Sequence, residues 1–365
     1  MEENLQNQSV EITAEEAKKK KIRNRILTVI FVLFNIGIIL FTAINEFSGD
    51  HSSEAKPVFL GFTTVIFMIC AVLCLVFALA LESVKYKQMG KLLGEPIKTG
   101  DAVRTVVMGR YYDCITPSGT GGQPFQIYNL HKAGYSDGTS AALPLGGFFT
   151  MQTGFIILGI IVFLTSFGIP ISTPIKITAY IGLVSYSLAP TLIVIFAISN
   201  KAAIGFVMFF VKILAKIKII KNIDETSKKV IKYLTDYNES IKKLAKNKFG
   251  LIKLLALSLL YQIFICSIPF FVLTALGATL SFYEMLCITV YIYAAVTLIP
   301  TPGNSGVAEG SFYLIFSRID TVGAFWPMII WRFICYYAIV LVGGIVNIYS
   351  AIKNKKKKLP DSEEK

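Results

Sequence analysis

The sequence predicts an all-α polytopic membrane protein with about six to eight transmembrane helices and two re-entrant broken-helix hairpins, and three observations predict it. Hydrophobic residues make up 54% of the 365 and charged residues only 16%, too little charge to clothe a soluble domain of this length. The apolar residues are gathered into uninterrupted runs near 20 residues, the length at which a helix rising ~1.5 Å per residue spans a ~30 Å hydrocarbon layer. The skeleton T-P-x-x-[ST]-G occurs twice, at Thr116–Gly121 and Thr301–Gly306, each time beside such a run.

Residues 1–20 are polar and charged and read as a disordered cytoplasmic tail. Ile26–Asn45 carries no charge and forms the first span. It lies behind a long polar segment, its apolar run is too long for a signal peptide, and no small-residue cleavage site follows. Val58–Leu81, again without a charge, is the second span. Glu82–Gly100 reads as a short basic cytoplasmic piece. Asp101–Tyr135 holds the first breaker, flanked by helical stretches Ala102–Ile115 and Gln123–Ala133. Ala141–Gly168 is the third span, with Pro144 and Gln152 inside it, and Pro170–Pro174 makes a short outer turn before the fourth span, Ile177–Ser199.

Lys201–Asn222 begins apolar and ends basic; Lys212, Lys216 and Lys218 favour a helix in the cytoplasmic interface over a further crossing. Asp224–Lys248 is amphipathic, with Val230, Leu234, Ile241, Leu244 and Ala245 at roughly helical spacing. It belongs to a cytoplasmic insert over about residues 212–250. Leu254–Gly277 is the fifth span. Glu284–Pro300, the second breaker and Val307–Ile319 follow, then Thr321–Ile352 closes the membrane part and 354–365 is a charged tail. Val307–Ile319 is about 20 Å long as a helix, too short to cross alone. A hairpin resolves the count: Glu284–Ile319 enters from outside, breaks at Thr301–Gly306 and returns. The first breaker forms the reverse hairpin from the cytoplasmic side.

The formal charge of +13 sits at the edges of spans, in Lys18–Lys21 with Arg23 and Arg25, in Lys85–Lys98, in Lys212–Lys253 and in Lys355–Lys358. Positive charge at span ends stays cytoplasmic, which places both termini inside and Ser48–Lys56 outside. It is not a nucleic-acid signal. The six cysteines lie mostly inside spans with no C-x-x-C pair, and His51 and His131 are far apart, so neither a metal site nor a cofactor is expected.

Irregular backbone at membrane depth is tolerated where it is buried in protein or lines a wet cavity. Two broken elements in corresponding positions point to a binding site near the midplane. Pro117 and Pro302 stop the incoming helices. Gly119, Gly121, Gly122, Gly303 and Gly306 allow close backbone approach. The restarting helices are expected to present N–H groups and a positive dipole end to an anion such as phosphate. Thr116, Ser118, Thr120, Thr301 and Ser305 add hydroxyls, and Gln123 follows the first tip. Arg104 and Arg110 lie just upstream, with Asp113 placed for an i,i+3 pair with Arg110. Glu309 has three readings: a cap on its own helix, a partner of Arg318, or a partner of Arg332.

The segment Asp113–Ser136, "DCITPSGTGGQPFQIYNLHKAGYS", resembles the first signature of the lysylphosphatidylglycerol synthase transmembrane family, also called flippase-like. Ile299–Phe312, "IPTPGNSGVAEGSF", resembles its second, keeping Pro300, Pro302, Gly303, Gly306 and Glu309. The first signature keeps Pro117, Gly121 and Gly122, but Gln123-Pro124 stands where many relatives carry an acidic residue. The resemblance identifies residues 21–353 as a flippase-like transmembrane domain similar to the membrane part of the multiple peptide resistance factors. It implies translocation of anionic or aminoacylated phospholipid, phosphatidylglycerol or lysylphosphatidylglycerol, across a bacterial plasma membrane, and resistance to cationic peptides. The alternatives are phosphatidylglycerol lysyltransferase activity, or a scaffold for a separate synthase. Lysyl transfer needs a tRNA-sized basic platform, which the longest soluble segment is too short to build, so the chain is not expected to catalyse it alone.

Overall fold

A computed structural model of the chain describes residues 61–116, 119, 121–169, 171–216, 231, 235, 238–297, 301, 304–316 and 324–357. All of them belong to one compact unit over residues 56–365. The first span at Ile26–Asn45, most of the amphipathic insert, both tails, and Pro117, Ser118, Thr120, Pro302, Gly303 and Arg318 lie outside the described residues.

The described residues form helices and no strand. In chain order these are α1 (Phe62–Leu93), α2 (Thr99–Ile115), α3 (Gly122–Lys132), α4 (Asp137–Thr165), α5 (Thr173–Ile198), α6 (Asn200–Lys216), α7 (Lys248–Ala275), α8 (Phe282–Val296), α9 (Val307–Phe316), α10 (Phe325–Arg332) and α11 (Ala338–Lys357). A π-helical turn, Phe333–Tyr337, joins α10 to α11. Five stretches, at Phe62–Leu93, Asp137–Thr165, Thr173–Phe196, Lys248–Ala275 and Phe325–Asn347, are long and apolar enough to cross a membrane. The chain is an all-α, multi-pass membrane protein.

Side-chain pairings fix the directions of the helices. Phe67 meets Phe271, Phe77 meets Phe264, and Leu92 lies against Gly250, so α1 and α7 are antiparallel. Met89 lies against Gly146, and Ala78 packs with Met151, so α4 also opposes α1. Tyr180 meets Tyr291, and Thr297 Oγ1 donates to the Gly182 carbonyl at 3.2 Å, so α8 runs parallel to α5.

These directions place the two hairpins at opposite ends of the bundle. α2 starts where α1 ends, and α8 starts where α7 ends. Each hairpin penetrates a comparable distance. Arg110 of α2 reaches Glu82, roughly 16 Å up α1 from Leu93 at ~1.5 Å per residue. Thr297 bonds at Gly182, roughly 14 Å along α5 from Thr173 by the same rise. Both depths are near half of a ~30 Å hydrocarbon layer. The predicted α2–α3 and α8–α9 boundaries agree with the structure to within a few residues.

Glu82–Gly100 departs from expectation. It is not a cytoplasmic loop at its start: α1 continues through Leu93, and Glu82 and Lys85 are buried. The reason is partnership. Glu82 is paired with Arg110, and Lys85 Nζ donates to the Gly147 carbonyl at 3.1 Å and to Ser258 Oγ at 3.3 Å. A charge that is paired and hydrogen-bonded can stay inside the membrane; an isolated one cannot.

The α2–α3 hairpin is held by polar contacts. Gln126 Nε2 donates to the Thr105 carbonyl at 3.3 Å, Asn129 Nδ2 donates to Thr105 Oγ1 at 2.9 Å, and Tyr86 donates from its hydroxyl to Gln126 Oε1 at 2.9 Å. Tyr112 stacks on Phe125 with ring centroids 3.9 Å apart. The amide side chains of α3 are met by Thr105 and Tyr86 here, where a purely apolar seam would gain little over lipid contact.

Candidate functional site

The first tip is built around Arg110. Its Nε donates to Glu82 Oε2 at 3.0 Å and its Nη2 to Glu82 Oε1 at 2.9 Å, a bidentate clamp from α2 to α1. Asp113, one turn on, comes within 3.7 Å of Nη1 and accepts from the Gly122 N–H at 2.9 Å. Thr116 Oγ1 donates to the Tyr112 carbonyl at 2.7 Å and accepts from the Gly121 N–H at 2.8 Å. The N-terminus of α3 is thus capped from α2. A Cβ on Gly122 would run into the Asp113 carboxylate, so only glycine lets that carboxylate come so close.

The second tip repeats the device with other parts. Glu309 Oε2 accepts from the Gly306 N–H at 2.6 Å, capping α9 from within. Its Oε1 accepts from Arg332 Nε at 2.6 Å, and Arg332 Nη2 donates to Ser305 Oγ at 3.0 Å. Gly306 has φ 88°, a left-handed conformation that a side chain strains. Of the three readings of Glu309, the cap and the Arg332 pair hold together; Arg318 lies outside the described residues.

The two tips are tied through the π turn. The Arg332 guanidinium lies 4.9 Å from the centre of the Tyr336 ring, and the Tyr336 hydroxyl reaches the Cys114 carbonyl at 3.4 Å. Such π turns recur at functional sites. Between the tips lies a cavity of about 470 Å³. Arg110, Asp113, Cys114, Gly119 and Gln123 line it from the first hairpin, Asn304 and Ala308 from the second, and Trp331, Arg332 and Tyr336 from the closing segment. Gln152, Tyr186, Tyr261 and Tyr293 add to the wall, and apolar side chains such as Leu75, Phe148 and Ile265 share it. Its volume is within the range of small-molecule sites.

The structure therefore brings together Gly119, Gln123, Arg110, Asp113 and Arg332 at the cavity, with Thr116, Gly121, Gly122, Ser305, Gly306 and Glu309 directly behind them. Arg104 sits exposed on α2 and does not line the cavity. Thr301 Oγ1 is buried with no hydrogen-bond partner. One expectation changes in kind. The N–H groups of Gly121, Gly122 and Gly306 are not presented to an external anion; the chain's own Thr116, Asp113 and Glu309 occupy them. Buried donors must find an acceptor, and these internal ones satisfy them.

Sequence reasoning missed Glu82, Gln152, Trp331 and Tyr336 as site residues. Glu82 ends an apolar run and reads as an edge charge. Gln152 carried a signal, being an amide in the middle of a span. Trp331 and Tyr336 are indistinguishable from ordinary span aromatics until the fold places them.

Residues 25–343 match the family model described as lysylphosphatidylglycerol synthase TM region. A protein described as a UPF0104 membrane protein, from Archaeoglobus fulgidus, is 27% identical over 285 residues, covering 75% of this chain and 84% of that relative.

Proposed function

We propose, for a chain that belongs to the lysylphosphatidylglycerol synthase transmembrane family, that it binds anionic or aminoacylated phospholipid and passes the headgroup between leaflets through the cavity between its two tips. The observation that carries this reading is that cavity, lined by two hairpins from opposite ends and holding Arg110, Asp113 and Arg332 in its wall. A charged headgroup crossing bare hydrocarbon costs several kcal/mol or more. A chamber halfway across with charged side chains in its wall divides that cost, while the acyl tails stay in lipid. Arg110 and Arg332 favour a phosphate, and Asp113 with the surrounding tyrosines favours an amine. Placement in a bacterial plasma membrane with both termini cytoplasmic fits the edge charges. In that orientation, outward movement of an aminoacylated lipid would reduce the negative surface charge that draws cationic peptides. Membrane phospholipid is then the partner, with a separate synthase supplying it.

Leaflet-resolved labelling tests the reading. Reconstituted into vesicles with lysylphosphatidylglycerol on one side, the chain is expected to equilibrate that lipid between leaflets far faster than protein-free vesicles. Equal rates in the two preparations would remove the proposal. Cysteine labelling at residues 50 and 356 tests the orientation; labelling of 356 from outside intact cells would reverse it.

A further inference from the structure

A second cavity lies apart from the one between the tips. It holds about 470 Å³ and sits in the end turns of the bundle. Met89 comes from the last turns of α1, Ile198 from the end of α5, and Leu251 and Leu254 from the first two turns of α7. α4 borders both cavities, with Phe148, Met151 and Gln152 lining the first and Gly146, Phe149 and Thr150 the second. A further wall is the helical stretch 238–246, through Ile241, Lys242, Leu244 and Ala245. That stretch is held whatever fills the cavity. Ile241 and Leu244 pack in the core cluster of Met89 and Leu254, and Asn238 Nδ2 donates to the Phe196 carbonyl near the end of α5 at 2.8 Å.

Native interiors keep few voids larger than a water molecule. An apolar cavity of ~150 Å³ already takes a benzene ring, and this one is about three times larger. Lys242 is the one charged side chain among its described lining residues, and Thr150 spends its hydroxyl on the Gly146 and Gly147 carbonyls, both at 3.0 Å. The interior thus offers little to a polar ligand and much to a hydrocarbon chain. Its open side faces lipid: Val194 and Ile198 line it and are 41% and 76% exposed. A chain can enter there sideways from the bilayer. The adjoining stretch is basic. Lys242 stands with Lys243, Lys246 and Lys248, all exposed, and Glu239 is the acidic residue within 238–248. Lysines at a membrane surface attract anionic lipid.

We propose that this cavity is a second lipid site, which encloses one acyl chain of an anionic glycerophospholipid from the leaflet at this end of the bundle and meets its phosphate with Lys242. Such a lipid completes the packing between α5 and residues 238–246, which the protein's own side chains leave open. The open side along α5 favours a two-chain lipid over a free fatty acid, because the second chain stays in the bilayer while the first is enclosed. The site is independent of the tip cavity, and its occupancy neither supports nor weakens the headgroup reading above.

The test uses the purified full chain in phosphatidylcholine vesicles containing a small fraction of phosphatidylglycerol with a photoreactive diazirine midway along one acyl chain. After illumination, peptide mass spectrometry maps the labelled residues. Labelling is expected to concentrate at Phe149, Ile193 and Ile241, several-fold above Ile69 and Val72 on the exposed face of α1. Unlabelled phosphatidylglycerol should displace the probe about fivefold more effectively than phosphatidylcholine, the worth of roughly one lysine beside an anionic headgroup. Lys242→Gln should remove that difference, and because Lys242 is exposed the variant keeps the fold. Ala245→Phe, which puts a ring into the cavity, should cut labelling of Phe149 and Ile193 several-fold and spare Ile69. Labelling at the cavity no denser than at Ile69 and Val72, undiminished labelling in Ala245→Phe, or full preference for phosphatidylglycerol in Lys242→Gln would overturn the proposal. Displacement by palmitate as effective as by phosphatidylglycerol would overturn it in favour of a free fatty acid.

Discussion

The two tips solve one problem with different parts. Each must restart a helix in the membrane interior, where its first N–H groups have no water to bond. Each does so with a carboxylate cap held beside an arginine. At the first tip the pair is local: Arg110 and Asp113 are three residues apart, and both are partly open, with 17% and 19% of their side-chain surface exposed. At the second it is long-range: Arg332 comes 23 residues after Glu309, and the exposures fall to 7% and 4%. The bases differ in the opposite sense. The first hairpin is tied across its base, where Ser136 Oγ donates to Glu95 at 2.6 Å and Tyr135 donates from its hydroxyl to Asp101 at 2.8 Å. At its base α8 has a local capping box, Ser281 with Glu284. The comparison teaches that the second tip is a sealed floor, fixed by distant packing. The first is a more accessible wall, anchored at its base.

The largest expected effect separates the two arginines. Arg332→Leu leaves the buried Glu309 without its counter-charge, which costs about 3–5 kcal/mol. Arg110→Leu leaves Glu82 with Lys85 three residues away, and its cost is expected to be smaller. Thermal unfolding of both variants in detergent measures the gap. Arg332→Leu combined with Glu309→Leu should recover most of the loss, because two apolar residues replace the pair. A double variant as unstable as the single one would mean that the second tip is not held as described.

Next come the tip glycines. Valine at Gly122 pushes the Asp113 carboxylate off the α3 terminus, and valine at Gly306 strains a left-handed residue by about 1–3 kcal/mol. Both variants are expected to insert, remain monodisperse and lose lipid translocation in vesicles. Normal specific activity in both would show that tip geometry is irrelevant to transport. A defect in one alone would show which tip transport depends on.

A smaller difference is expected between the capping carboxylates. Asp113→Asn keeps an acceptor for the Gly122 N–H and leaves Arg110 its Glu82 partner, so it should cost about 1 kcal/mol or less. Glu309→Gln removes the charge facing Arg332 and should cost about 2–3 kcal/mol. Paired unfolding curves decide; equal losses would erase the distinction between open wall and sealed floor.

The smallest effect concerns the base of the first hairpin and depends on pH. Partial burial pushes the Glu95 carboxyl up, but hydrogen bonds from Ser136 and Thr139 outweigh it and hold Glu95 below its ordinary value. A depressed carboxylate contributes stability that is complete above its unfolded pKa and is lost as pH falls through its folded one. The native chain should therefore lose thermal stability on acidification below the ordinary glutamate range. Ser136→Ala, which removes the side-chain bond to Glu95, should flatten that part of the profile. An unchanged profile in the variant would show that the tie at the base contributes nothing.

Much of this architecture was legible in the residues. Span positions follow from run length and hydropathy, which are properties of consecutive residues. The breakers follow from Pro and Gly chemistry, and the hairpins from a crossing count that a 13-residue segment cannot satisfy. The Arg110–Asp113 proximity follows from helical spacing, and the cap by Glu309 from its place in the first turn of α9. Glu82 was misjudged because a charge at the end of an apolar run looks like an edge until its partner, 28 residues on, is known.

By itself, then, the sequence determined which stretches cross, where two helices must break, and which polar side chains stand near the breaks. All of that is fixed by neighbours in the chain. The tertiary structure decided which partners those side chains take: Arg332 for Glu309, Glu82 for Arg110, Tyr336 for the Cys114 carbonyl. It decided that the helix-end donors are met from inside, by Thr116, Asp113 and Glu309. The physical reason is that satisfaction of a buried polar atom depends on every surface packed around it. Those surfaces come from segments far apart in the chain, which no local pattern brings together.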